Sequence, residues 1–174
     1  MEGIIQKREG AVTKAAVDAD ASVASNTDLK TVIEAVHAVL AVHAERINAL
    51  NVYPVPDGDT GTNMLLTLRS VLEEVSNSPE LSGEEAARAV SRAALMGARG
   101  NSGVILSQIF RGFAASIKDR DEIDGRDLAL ALTEAQDMAY RAVMRPVEGT
   151  MLTVIRGAAE RASKAAERTP SLVT

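Results

Sequence analysis

From Leu29 to Leu50 the apolar side chains return every three or four residues: Leu29, Val32, Ile33, Val36, Leu40, Ile47 and Leu50, with His43 on the same stripe. That is the helical period, held for about six turns. The same spacing returns in Met64, Leu65, Leu68, Val71, Leu72 and Val75. No segment alternates convincingly as a strand would. Aromatic residues make up only 2% of the chain, against 29 alanines. Core volume must then come from aliphatic side chains and close-packed Ala, which suits helix against helix better than a β-sandwich. The expected fold class is all-α.

Local signals divide the chain. Thr31 with Glu34 three residues on matches a capping box, with Asp28 as an alternative cap, so a first helix is predicted from about residue 28. Pro54 and Pro56 disfavour helical geometry before them and stop it by Tyr53. Further helices are predicted over 62–77, over 82–98 behind a Ser82/Glu85 capping box, and over 104–117, 127–144 and 151–168. Residues 1–27 hold few large apolar groups and read as an N-terminal arm, unfolded or a loose helix, ahead of one domain in 28–174. Met64, Met96, Met138, Met144 and Met151 read as core filling. His37 and His43 read as packing residues, and Arg156, Arg161, Lys164 and Arg168 as a solvated face.

Composition removes several function classes. A net charge of −5 gives no basic surplus for a nucleic-acid backbone. Two Phe, two Tyr and no Trp leave little to stack bases on. The absence of Cys excludes disulfides, thiolate metal sites and Cys nucleophiles. No apolar run reaches membrane-spanning length, and the first ten residues lack the apolar block of a signal peptide. The expected location is the cytoplasm.

Three loops carry more than turn chemistry. The first is Asp57-Gly58-Asp59-Thr60-Gly61-Thr62-Asn63. In extended backbone its two carboxylates point the same way. Like charges held close favour a cation between them, and hard oxygen donors suit Mg²⁺ or Ca²⁺. A helix starting at Thr62 would add free N–H groups and a positive dipole end, which is an anion site. A metal-bound phosphate would use both. The ordinary alternative is a turn with a helix N-cap. An EF-hand is excluded, because Thr62 and Leu68 stand where Gly and Glu are required. No Walker A sequence is present. The second loop, Gly97-Ala98-Arg99-Gly100-Asn101-Ser102-Gly103, offers a backbone nest and two polar side chains. Its Arg99 is either a phosphate neutraliser or a solvated surface residue. The third, Pro146-Val147-Glu148-Gly149-Thr150-Met151, again sets Gly and Thr at a helix start.

Taken together, LNVYPVPDGDTGTNM (Leu50 to Met64), MGARGNSGVILSQIFRGF (Met96 to Phe113) and RPVEGTMLTVI (Arg145 to Ile155) resemble the nucleotide-binding L domain of the dihydroxyacetone kinase (DhaL/DAK2) superfamily. The resemblance is nearest to the N-terminal domain of bacterial fatty acid kinases and covers roughly residues 28–168. It implies an antiparallel barrel of about eight helices, with ATP or ADP at one end and two Mg²⁺ ions bridging the phosphates. On that basis Asp57 and Asp59 are the metal-holding, catalytic carboxylates. Asn51 stands near the place of a third, upstream Asp, as a neutral ligand one residue out of register. Thr60, Gly61, Thr62 and Asn63, then Gly100, Asn101 and Ser102, then Gly149, Thr150 and Met151 are the implied nucleotide contacts. Thr60 replaces the His of the dihydroxyacetone branch, which favours the fatty acid kinase branch. The barrel's last helix and a Gly-rich, Asp-containing segment near it are missing, so the chain reads as a C-terminally truncated piece.

The activity so implied is ATP- and Mg²⁺-dependent phosphoryl transfer to the carboxylate of a fatty acid on a carrier protein, engaged through domains outside this chain. The alternatives are a dihydroxyacetone-type kinase domain, a non-catalytic nucleotide-binding module and a plain association bundle. A homodimer stays open.

Overall fold

The computed structural model describes residues 26–168 apart from 54, 79, 80, 82, 121 and 122, and among them there is no strand. The helices are α1 (Asn26–Ala49), α2 (Thr60–Asn77), α3 (Gly83–Met96), α4 (Gly100–Ile117), α5 (Gly125–Arg141) and α6 (Met151–Arg168). The all-α expectation holds. Most of the predicted N-terminal arm, and Ser82 of the second predicted capping box, lie outside the described residues.

Several helix starts differ from the sequence reading. Asp28 and Thr31 lie inside α1, so Thr31 and Glu34 are i,i+3 neighbours on a helix surface and not a cap; the two arrangements share one spacing. α2 begins at Thr60 and α4 at Gly100, so residues expected in loops form first helical turns. α5 begins at Gly125 because Asp124 caps it. The Asp124 carboxylate accepts from the backbone N–H groups of Arg126 (2.8 Å) and Asp127 (2.9 Å). The Asp127 carboxylate accepts in return from the Asp124 N–H at 3.2 Å. This is a capping box with Asp at both ends.

Two apolar clusters organise the packing. Ile33, Leu68, Val71, Val75, Val90 and Ala94 join α1, α2 and α3. Ala135, Ala139, Leu152 and Ile155 join α5 and α6, with Ile105, Ile109 and Phe113 of α4 laid against them. α4 therefore runs between the clusters, touching α2, α3 and α5. Ala94, Ala131, Ala135 and Ala139 are fully buried, as expected of a core filled by small side chains in close contact. α1 meets the body chiefly through α2, and α6 chiefly through α5. The described residues thus hold six of the eight helices expected.

The α1 stripe divides. Ile33 is buried, and Leu29 and Leu40 pack against the first cluster, while Val32, Val36 and Leu50 are exposed. His43 is exposed as well, so it has no packing role here. Met96 and Met144 are 77% and 97% exposed. Met96 is the last residue of α3 and Met144 lies just past α5, where the chain leaves the core, so they are not core filling.

Candidate functional site

The last turn of α1 faces the start of α2. Asn48, in that turn, reaches across to α2, and Asn51, just past α1, reaches the loop between them. The Asn48 Oδ1 accepts from the N–H groups of Gly61 (2.8 Å) and Thr62 (3.1 Å), and its Nδ2 donates to the Thr62 hydroxyl at 2.9 Å. The Asn51 Nδ2 donates to the Asp57 carboxylate at 2.6 Å. The approach is close because residue 61 is Gly: a Cβ there would run into the backbone of Ala44. Asp59 is the N-cap residue of α2, yet its side chain makes no capping hydrogen bond.

The start of α4 lies against α2. Gly100 has φ of +57°, and a Cβ on it would collide with the Asn63 side chain, so this first turn needs glycine on two counts. The Thr67 hydroxyl, fully buried, donates to the Asn63 carbonyl at 2.7 Å and accepts from the Arg99 N–H at 3.2 Å. Ser102 is buried and its hydroxyl donates to the Thr60 carbonyl at 3.4 Å. Asn101 is exposed beside it. Arg99 turns back on its own loop, donating to the carbonyls of Gly97 (3.2 Å) and Ala98 (3.1 Å). The structure therefore brings the first two loops together at adjoining helix N-termini.

The third loop is built from its own contacts. Glu148 takes a bidentate pair from Arg156, Nη1 at 2.7 Å and Nη2 at 2.8 Å. It also accepts from the hydroxyls of Thr153 (2.7 Å) and Tyr140 (3.2 Å). The Thr153 hydroxyl first, and then Arg156, hold the Glu148 carboxyl below its ordinary pKa against the opposing effect of desolvation. Desolvation chiefly pushes the Tyr140 hydroxyl up. The Gly149 N–H donates to Thr153 Oγ1 at 2.8 Å. The Thr150 hydroxyl donates to the Val147 carbonyl at 2.7 Å and accepts from Leu152 N–H at 3.3 Å, just past Met151 at the start of α6. These bonds tie Glu148 to α5 and α6, and Gly149 and Thr150 to α6, whose first residue is Met151; none of them reaches the first two loops. Arg156 is thus paired with Glu148 while its side chain stays 41% exposed.

Asp57 and Asp59 have no Lys or Arg partner among the described residues. Two carboxylates left unneutralised are a fitting donor pair for Mg²⁺, which is usually held by one or two protein carboxylates and completed by phosphates and water. No group of three or more His, Cys, Asp or Glu that could hold a metal occurs among the described residues. Asn51 turns its amide nitrogen, not its oxygen, to Asp57.

Two positioning residues escape the sequence reading. Thr67 interrupts an apolar stripe between Met64 and Val71, a usable signal. Asn48 had none, since its partners lie thirteen and fourteen residues away.

An all-α domain whose acidic loop has no basic partner among the described residues, set beside a Gly-rich helix start, defines the class. The chain belongs to the DAK2 domain family, whose sequence model matches residues 54–173. That family is kinase-related and is associated with the nucleotide-binding domains of dihydroxyacetone- and fatty-acid-kinase-type proteins. An uncharacterized protein of Staphylococcus haemolyticus is 53% identical over 134 residues, which is 77% of this chain and 24% of that protein. Uncharacterized proteins of Staphylococcus saprophyticus and of Staphylococcus aureus strain USA300 are each 50% identical over 134 residues, with the same shares. The chain thus spans about a quarter of the length of the curated relatives it matches. No helix among the described residues is long and apolar enough to cross a membrane.

Proposed function

We propose that this chain is the nucleotide-binding domain of a kinase that moves the γ-phosphoryl group of ATP onto the carboxylate of a carrier-bound fatty acid. The observation that carries the reading is the pair Asp57 and Asp59, without a basic partner among the described residues and beside two adjoining helix N-termini. Membership of a kinase-related family supports it.

The chemistry suits the inventory. The acceptor oxygen attacks the γ-phosphorus, the bond to the β-phosphate bridging oxygen breaks, and ADP leaves with the electron pair. A carboxylate is already ionised at neutral pH, so no general base has to be found among the side chains. The demand on the protein is positioning and charge stabilisation. Asp57 and Asp59, with Asn51 as a neutral neighbour, would hold two Mg²⁺ ions, which when bound shield the charge on the transferring group. Thr60 and Asn63 with Gly100, Asn101 and Ser102 would line the phosphates; Gly61 and Thr62 would stand beside them with their amides held by Asn48, and Gly149, Thr150 and Met151 would line the rest of the nucleotide.

Titration of the chain with ATP, with and without Mg²⁺, tests the binding step. Mg²⁺-dependent heat at submillimolar nucleotide is expected, and silence at millimolar nucleotide would leave a plain association bundle. Acyl phosphate formation by the full-length protein with its carrier tests the acceptor. Phosphorylation of a small hydroxy-ketone instead would move the chain to the other branch of the family.

A further inference from the structure

An aspartate at an N-cap ordinarily folds back so that its carboxylate accepts from the amides two and three residues on. Asp124 does this for α5. Asp59 occupies the same position before α2 and does not. The two amides it would take, Gly61 and Thr62, go instead to the Asn48 Oδ1 at 2.8 and 3.1 Å. The Asn48 Nδ2 fixes the amide's orientation by donating to the Thr62 hydroxyl at 2.9 Å. Asn48 can reach because Ala44, one turn before it, lies against Gly61 with no room for a Cβ between them.

We propose that Asn48 caps α2 in place of Asp59 and is a positioning residue: it leaves the Asp59 carboxylate uncommitted, and so available to a cation. The cap is neutral, so the helix start is satisfied without spending an anionic ligand on it. The consequence for the cation rests on the metal reading above; the exchange of caps does not.

A double-mutant cycle on the 174-residue chain tests it. In the wild-type background Asp59→Ala removes no capping bond, and should change the unfolding equilibrium by less than about twofold. In an Asn48→Ala background Asp59 becomes the cap, and the same substitution should change it about fivefold. Mn²⁺ titration supplies a readout that a merely structural cap would not move: Asn48→Ala should weaken Mn²⁺ binding several-fold while the helical signal persists. Equal effects of Asp59→Ala in the two backgrounds would overturn the proposal. Coupled stability without any Mn²⁺ binding in wild type would leave the exchange standing and remove the metal reading; Mn²⁺ binding without coupling would do the reverse. If Asn48→Ala fails to fold, the wild-type chain decides. There Asp59→Ala on its own should shift the unfolding equilibrium by less than about twofold, and a loss of about fivefold or more would overturn the exchange.

Discussion

The loop before α2 and the loop before α6 use the same ingredients: Asp57-Gly58-Asp59-Thr60 in one, Glu148-Gly149-Thr150 in the other. Their carboxylates end in opposite circumstances. Glu148 is consumed by Arg156, Thr153 and Tyr140. Asp57 meets one neutral amide and Asp59 makes no capping bond. A carboxylate that the fold satisfies internally is architecture. One left without a basic partner among the described residues is a candidate for an external cation. The difference separates a carboxylate used as a brace from a pair proposed as a metal site, although both loops read alike as polar, Gly-containing helix starts.

The largest effect should come from removing the unsatisfied charge. Asp57→Ala or Asp59→Ala is expected to lower Mg²⁺-dependent affinity for ATP on the order of 100-fold, as for other preorganised electrostatic groups, with thermal stability unchanged or raised. Glu148→Ala should behave in the opposite way, lowering the melting temperature with a smaller loss of nucleotide affinity. Calorimetric titration and a thermal melt on each variant check both. A large melting loss in the aspartate variants, or a 100-fold affinity loss in Glu148→Ala alone, would erase the distinction.

Next come the glycines at the acidic end. Gly61→Ala sets a methyl against the Ala44 backbone, which cannot swing away, and should cost about 3 kcal/mol of stability in denaturant unfolding. Gly100→Ala meets a side chain that can move, Asn63, but must hold a left-handed φ; about 1–2 kcal/mol is expected. Equal costs would mean that the α1–α2 contact is looser than its geometry indicates.

Much of this was legible from residue order. The 3.6-residue period gave the helices, and the unusual density of Asp and Gly in residues 57–61 marked the acidic loop. What failed was local inference where the deciding partner is distant. Gly100 to Gly103 look like a turn by composition, but Asn63 and Thr67 of α2 receive that segment as a helical turn. Asn48 is an ordinary polar residue in a helix until α2 is brought beside it. The expected phosphate-facing amides of Gly61 and Thr62 are engaged by it, a fact no spacing rule contains. Arg156 has the look of surface charge because Glu148 sits eight residues away across a turn. Sequence period reports which face is apolar; it does not report which polar groups meet.

The smallest expected effect concerns acid. Glu148 is held below its ordinary pKa by the Thr153 hydroxyl and then by Arg156. Asp124 is held below its own chiefly by the Asp127 backbone N–H and also by that of Arg126. A carboxyl whose folded pKa lies under its unfolded value binds fewer protons in the fold than in the open chain, so its contribution is complete above about pH 4–5 and is lost as pH falls through the depressed values. Glu148→Gln and Asp124→Asn should therefore be less stable than the parent at neutral pH and converge with it as the solution is acidified below about pH 3. Melting temperature followed from pH 7 down to pH 2 reads this directly. A gap that stays constant across that range would show that the Glu148 brace holds the third loop by shape and hydrogen bonding alone, and the electrostatic contrast with Asp57 and Asp59 would then lose its counterpart.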